Sequence, residues 1–247
     1  MKIACIIPAR YGSERFPGKI LAKINGKSML QHVYERVAGC SRVEKIIVAT
    51  DDKRIVDNVN AFGGLAIMTP ECRNGTDRIA FTVKNIDVDI VVNVQGDEPL
   101  ISAGIIDGTI QLMLDNPGIE MTTAAAQLNN FRQLNDTNVV KVVIDRQGNA
   151  MYFSRAAIPA VRQKENWEAA SYLKHIGIYA YKKKFLLKYI NLQPGLLEET
   201  EKLEQLRALE NGYRIRVFIT DEVLMSVDTK EDLEKVKLEL RKRLKVE

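Results

Sequence analysis

Cysteine is scarce in this chain. The 247 residues contain three, Cys5, Cys40 and Cys72, an odd number with no C-x-x-C pair. That pattern points away from a disulfide framework and toward reduced, buried thiols in a cytosolic protein. Long apolar runs are also missing: none approaches the roughly 20 residues needed to span a bilayer. The N-terminus enters an apolar stretch at residues 3–8 without signal-peptide architecture. No basic tract with interleaved aromatics is present, so neither nucleic acid nor membrane is an expected partner. Repeats, low-complexity segments and Pro/Gly/Ser linkers are absent. These absences together predict a soluble, cytoplasmic protein.

What is present suits an enzyme of anionic small molecules. Hydrophobic residues make up 46% of the chain, enough for a real core, and Lys and Arg exceed Asp and Glu by 36 to 32, a formal net charge of +4. Domains typically take roughly 100–200 residues, so one α/β domain with an elaborated second half fits the length.

Short apolar runs alternate with helical patterns through the first half. Residues 2–8 (KIACIIP), 45–50 (KIIVAT), 65–68 and 90–94 (IVVNV) read as strands; residues 28–39, 52–62, 76–84 and 101–114 read as helices. This order predicts a parallel sheet covered by helices. Ligands in such sheets bind beyond the carboxyl ends of the strands, which places the chemistry in the loops at 9–19 and 95–100. In the second half, residues 139–145 and 150–153 flank a Gln147–Gly148 turn and read as a β-hairpin. Residues 175–181 and 214–219 read as strands, and 197–209 and 230–244 as helices.

Three segments carry candidate chemistry. The first, residues 7–19 (IPARYGSERFPGK), follows a strand and offers two glycines, a serine and three cations. Polyphosphate binding needs close backbone N–H groups, a hydroxyl and positive charge of this kind. It is neither a Walker A loop nor a Rossmann G-x-G-x-x-G, and taken alone it is equally a plain surface loop. The second, residues 93–99 (NVQGDEP), ends a buried strand in an acidic turn whose carboxylate could hold Mg²⁺ against a triphosphate; a solvated polar turn has the same look. The third, residues 227–233 (VDTKEDL), contains a capping box between Thr229 and Asp232.

These strings, in this order, resemble the CMP-Kdo synthetases, the cytidylyltransferases of 3-deoxy-manno-octulosonate (Kdo). The related acylneuraminate cytidylyltransferases share the early part of the first loop but not its RFPGK ending. Further matches are NGTDR at 74–78, with Asn74 where the family has serine, YFSR at 152–155 followed by Pro159 and Arg162, HIGIY at 175–179 and LEQLR at 203–207. The resemblance implies a three-layer Rossmann-like nucleotidyltransferase fold, α/β, with a mixed, mostly parallel sheet and a β-hairpin/helix extension. It implies one domain over 1–247: a nucleotide-binding half to about 127, a sugar-binding and dimerisation extension over about 128–190, and a return to the core thereafter. It also implies a homodimer, and transfer of CMP from CTP to Kdo for lipopolysaccharide synthesis.

By the same resemblance, Pro8, Ala9, Arg10, Gly12, Ser13, Arg15, Lys19, Asn74, Gly75, Thr76, Arg78, Gln95 and Gly96 contact the nucleotide. Arg15, Gln95, Glu98, Arg155, Arg162, His175, Tyr179, Glu204 and Gln205 contact the acidic sugar. Asp97 and Asp228 hold Mg²⁺, and Lys19, Asp97 and Asp228 form the catalytic set. Read without the family, the arginines are ordinary solvated charges, the histidine is structural, and Glu204 and Gln205 simply face water. One departure stands beside the site: Ser226 replaces the glycine that many members have before Val-Asp-Thr, and some relatives with a side chain there prefer an 8-amino sugar. Another acidic sugar and a non-catalytic nucleotide-binding module are the alternative readings; the intact loop and both aspartates argue against the module.

Overall fold

The computed structural model describes residues 1–12, 16–128, 130–162, 172–222 and 224–243. They form two compact units, Met1–Asp107 with the stretch from Leu224 onward, and Gly108 to the stretch before Leu224.

The first unit is built on parallel strands. β1 (Ile3–Ala9) is apolar along its length and buried at all seven positions. It pairs in parallel with β4 (Lys45–Thr50) and β6 (Ile90–Val94), and β4 pairs in parallel with β5 (Ala66–Met68). Parallel neighbours need crossover connections, supplied by α1 (Met29–Ala38), α2 (Lys53–Ala61) and α3 (Gly75–Val83). Each helix starts at a capping side chain: Ser28 accepts from the Gln31 amide, Asp52 from Arg54 and Asn74 from Asp77. Helix α1 turns Met29, Leu30, Val33 and Val37 inward, a stripe at helical spacing. A one-turn 3₁₀ segment (Lys19–Leu21) and a small hairpin of β2 (Lys23–Ile24) and β3 (Lys27–Ser28) follow β1; α9 (Lys230–Arg243) also belongs to this unit.

The unit boundary falls inside α4 (Ala103–Leu114). The second unit contains β7 (Met121–Gln127), α5 (Phe131–Asn135), β8 (Lys141–Ile144), β9 (Ala150–Ser154), β10 (Leu173–Lys182), α6 (Lys183–Tyr189), α7 (Leu196–Glu201), α8 (Gln205–Glu210) and β11 (Ile215–Thr220). β7 pairs in parallel with β11 and antiparallel with β10; β8 pairs antiparallel with β10 and β9. The class is α/β with mixed, mostly parallel pairing, as the sequence implies.

Four local expectations need correction. Strand β7 (MTTAAAQ) is absent from the sequence reading, because its threonines and alanines show no alternation; pairing with β10 and β11 on both sides makes it a strand. The short helices α5 and α6 also escape a reading by periodicity. The single helix expected over 197–209 is two, broken at Lys202, which takes a left-handed conformation (φ 54°). Finally, all three cysteines are free, but only Cys5 and Cys40 are buried; Cys72 is partly exposed.

Candidate active site

In the first unit, three segments distant in sequence converge on one ammonium group. Lys19 Nζ donates to Asp97 Oδ2 at 2.6 Å, to Asp228 Oδ1 at 3.1 Å and to the Val227 carbonyl at 3.0 Å. The Lys19 side chain is 12% exposed. Burial alone would lower its pKa, but the two carboxylates outweigh that and hold it above the ordinary lysine value.

Backbone geometry delivers each member. Asp97 lies in the turn that leaves β6, where the Glu98 amide donates to the Gln95 carbonyl. Gly96 passes over the end of β1; a Cβ there would sit 3.4 Å from the Pro8 carbonyl oxygen. The Val227 amide donates to the Asp97 carbonyl at 3.0 Å, so the main chain beside Asp228 is docked on that turn. Behind Asp228, the Thr229 hydroxyl accepts from the Asp232 amide while the Asp232 carboxylate accepts from the amides of Thr229 and Asp228. The capping box thus fixes Asp228 at the start of α9.

The loop after β1 closes on itself. The Gly18 amide donates to the Tyr11 carbonyl at 2.9 Å, and Gly18 takes φ +70° with the Tyr11 ring 3.0 Å from where a Cβ would stand. The Arg54 guanidinium lies 3.3 Å from the centroid of the Tyr11 ring and also pairs with Asp52. Pro8 and Ala9 are buried, whereas Arg10 and Gly12 are exposed; Ser13 and Arg15 lie outside the described residues.

Asn74, Gly75, Thr76 and Arg78 gather at the start of α3, where a Cβ on Gly75 would sit 3.4 Å from the Pro8 ring. Arg78 is not a free cation at this end. It is buried, and its guanidinium donates to Thr69 Oγ1 and to Asp51 Oδ2 at 2.6 Å. Asp51, which balances it, was not singled out by the sequence. Gln95 donates to Asn93 at 3.2 Å and, like Glu98, is partly buried.

The second unit holds the remaining candidates. β10 carries a register shift between Ile176 and Tyr179. Residues four apart on a regular strand lie roughly 13 Å apart at 3.3 Å per residue. The shift instead brings the His175 and Tyr179 rings to 5.4 Å, with Phe153 5.2 Å from His175. The Thr123 hydroxyl donates to the Ile178 carbonyl at 2.7 Å and lies 2.9 Å from His175 Nε2, so Nε2 carries the proton and donates to Thr123. His175 is partly exposed as a residue, yet its imidazole lies among protein groups, and burial pushes its pKa down to about 3.

Arg155 is committed to the protein: Nε donates to the Glu201 carbonyl at 2.7 Å, and Nη1 and Nη2 to the carbonyls of Thr137 and Lys202. Arg162 is exposed, Glu204 precedes α8, and Gln205 is buried.

The pattern of the family described as Cytidylyltransferase matches residues 4–215. The chain belongs to the cytidylyltransferase family. The chain is 50% identical to the 3-deoxy-manno-octulosonate cytidylyltransferase of Syntrophotalea carbinolica, over 98% of this chain and 99% of the relative, and 48% identical to that of Pelobacter propionicus, over 98% of both. A solved structure of CMP:2-keto-3-deoxy-manno-octonic acid synthetase complexed with CTP superposes with a TM-score of 0.93 at 41% identity, covering 98% of this chain and all of that one. A 4-diphosphocytidyl-2C-methyl-D-erythritol synthase from Anaerococcus prevotii, at 16% identity and TM-score 0.65, covers 97% of this chain and 96% of its own and shares the fold.

Within this cytidylyltransferase frame the donor set suits a hard cation. Among the described residues no three His, Cys, Asp or Glu side chains gather as a closed metal cage. Mg²⁺ needs none, because it takes one or two carboxylates and completes its shell with phosphate and water oxygens. Asp97 and Asp228 already hold one positive charge between them and could hold a metal ion bound with the triphosphate.

Sequence reasoning also missed Lys141, Glu198 and Glu201. Lys141 is fully buried and donates to the carbonyls of Asp136, Val139 and Arg155. Its only signal was a lysine inside the apolar run VVKVVI. Glu201 accepts from Ser154 Oγ at 2.6 Å and from the Arg155 amide at 2.9 Å.

Proposed function

We propose that the chain transfers CMP from CTP to the anomeric hydroxyl of Kdo, releasing pyrophosphate. The observation that carries the reading is Lys19 held between Asp97 and Asp228 at the strand ends, in a chain half identical over its length to cytidylyltransferases named for Kdo. The anomeric oxygen loses its proton to water and forms a bond to the α-phosphorus of CTP, the bond from that phosphorus to the bridging oxygen breaks, and pyrophosphate leaves with the electron pair. Lys19 supplies a positive charge where charge develops on the leaving group. Asp97 and Asp228 would hold Mg²⁺, whose contribution when bound is to polarise phosphate oxygens. The rest of the catalysis is positioning: Gly18 and Tyr11 shape the loop that aims Lys19, and the capping box sets Asp228.

Pyrophosphate release with CTP, ATP and GTP, each against a panel of acidic sugars, tests the reading. Turnover with CTP and Kdo is expected. Comparable turnover with ATP, or none with Kdo, refutes it.

A second reading concerns the sugar alone. Ser226 is exposed and stands two residues before Asp228, where an 8-amino sugar is the alternative substrate. Comparing kcat/KM for the two sugars in the wild type and in Ser226→Gly separates them. A preference ratio equal in both proteins removes Ser226 from specificity.

A further inference from the structure

Helices α7 and α8 are six residues each, and neither is capped by its own N-cap side chain; the Glu210 carboxylate of α8 accepts from the Leu197 and Glu198 amides at the start of α7. Helices this short do not stand alone in water. Lys202 between them also takes a left-handed conformation that L-residues avoid. Contacts beyond each helix's own backbone must therefore hold this corner, and Glu204 and Gln205 sit directly on it.

The structure shows what does. Arg207 of α8 donates from Nε to Glu198 Oε2 at 2.7 Å and from Nη2 to Glu198 Oε1 at 2.5 Å, a two-pronged pair reaching back to the first turn of α7. The side chains are 7% and 10% exposed. The Arg207 guanidinium lies 5.3 Å from the Tyr189 ring centroid, and the Tyr189 hydroxyl donates to the Glu204 carbonyl at 2.5 Å. The Leu203 amide donates to the Glu198 carbonyl at 3.3 Å, so the chain after the break is tied to the residue that Arg207 grips. From the other side, Arg155 donates to the Glu201 and Lys202 carbonyls.

A buried ion pair is a poor source of stability, since desolvating both charges offsets most of their attraction and apolar replacements of similar size often do as well. Its distinguishing property is direction: a planar guanidinium meeting a carboxylate edge-on permits one orientation. We propose that Glu198 and Arg207 are positioning residues for sugar recognition, fixing the α7–α8 corner and with it the places of Glu204 and Gln205. The proposal rests on the reading of the second unit's polar residues as sugar contacts.

Two variants test it. Glu198→Leu/Arg207→Met removes both charges together, so neither is left buried alone. Arg207→Lys keeps the charge and loses the two-pronged geometry. Both should raise KM for Kdo by about tenfold or more while KM for CTP stays unchanged, the signature of lost binding to one substrate. Amide hydrogen exchange at residues 203–207 should accelerate in both, with the melting temperature of the double variant close to wild type. An unchanged KM for Kdo, an equal rise in both KM values, or wild-type exchange at residues 203–207 overturns the proposal. Should the double variant fail to fold, Arg207→Lys decides alone. Wild-type protein that releases no pyrophosphate from CTP and Kdo would instead refute the functional reading, and the exchange measurement would still report on the corner.

Discussion

The Val227 amide donates to the Asp97 carbonyl at 3.0 Å, and this one backbone bond joins the two carboxylate segments of the site. It docks the chain entering α9 on the turn leaving β6, which lets Asp97 and Asp228 share the Lys19 ammonium. Since main-chain atoms do the docking, the side chains can be changed without undoing it. Asp97→Asn and Asp228→Asn should each fold with little change in melting temperature and lose most turnover. If both act on one cation, the double variant should be little worse than either single, because groups that work as a unit lose the whole function together. Steady-state turnover and melting temperature on the three variants check this; near-normal turnover in Asp228→Asn would reduce that residue to a helix-start role.

The Lys19 ammonium stands between the Asp97 and Asp228 carboxylates and offsets one of their two negative charges. Removing it as Lys19→Met should leave two like charges facing one another and lower the melting temperature in chelator. Added Mg²⁺ should recover part of the loss, more than it raises the wild type. Turnover should fall roughly 100- to 1000-fold, the usual effect of deleting one such charge contact. A melting temperature indifferent to Mg²⁺ in the variant would show that the two aspartates hold no ion without nucleotide.

Gly18 combines φ +70° with a close approach to the Tyr11 ring. Alanine there meets both the left-handed backbone, which costs about 1–2 kcal/mol for an L-residue, and the ring at 3.0 Å. Gly18→Ala should therefore raise KM for CTP and lower kcat together by moving Lys19, while far-UV circular dichroism stays unchanged. Wild-type kinetics in this variant would show that the loop yields without disturbing the lysine.

His175 is held neutral with a pKa of about 3, below its ordinary 6.5, by burial. Between those values the unfolded chain binds a proton that the folded chain does not. The contribution to stability is therefore whole above about pH 6.5 and falls progressively as the pH drops toward 3. The melting temperature should decline over that window, and less steeply in His175→Asn. Imidazole resonances of His175 should remain those of the neutral Nε2–H form at pH 5; protonation near pH 6.5 would contradict the buried placement.

Much of the first unit is legible in the amino-acid order. The runs that form β1, β4 and β6 are continuous and apolar because parallel strands are buried on both faces, and the loops that follow them are where such sheets carry chemistry. The Thr229–Asp232 capping box is local, three residues apart, and is readable as such. The second unit is less legible. β7 has no alternation to betray it, and the break at Lys202 interrupts a pattern whose helical spacing continues on both sides.

The sequence by itself determined which stretches are buried, which loops leave the strand ends, and, through its motifs, the family and its chemistry. The tertiary structure alone decided the partners. It committed Arg78 to Asp51 and Arg155 to backbone carbonyls, set Glu198 against Arg207, and used a register shift to bring His175 to Tyr179. The reason is physical: periodicity records how a residue faces its own element's core, a local property, whereas the partner of a charge depends on where distant segments end after packing.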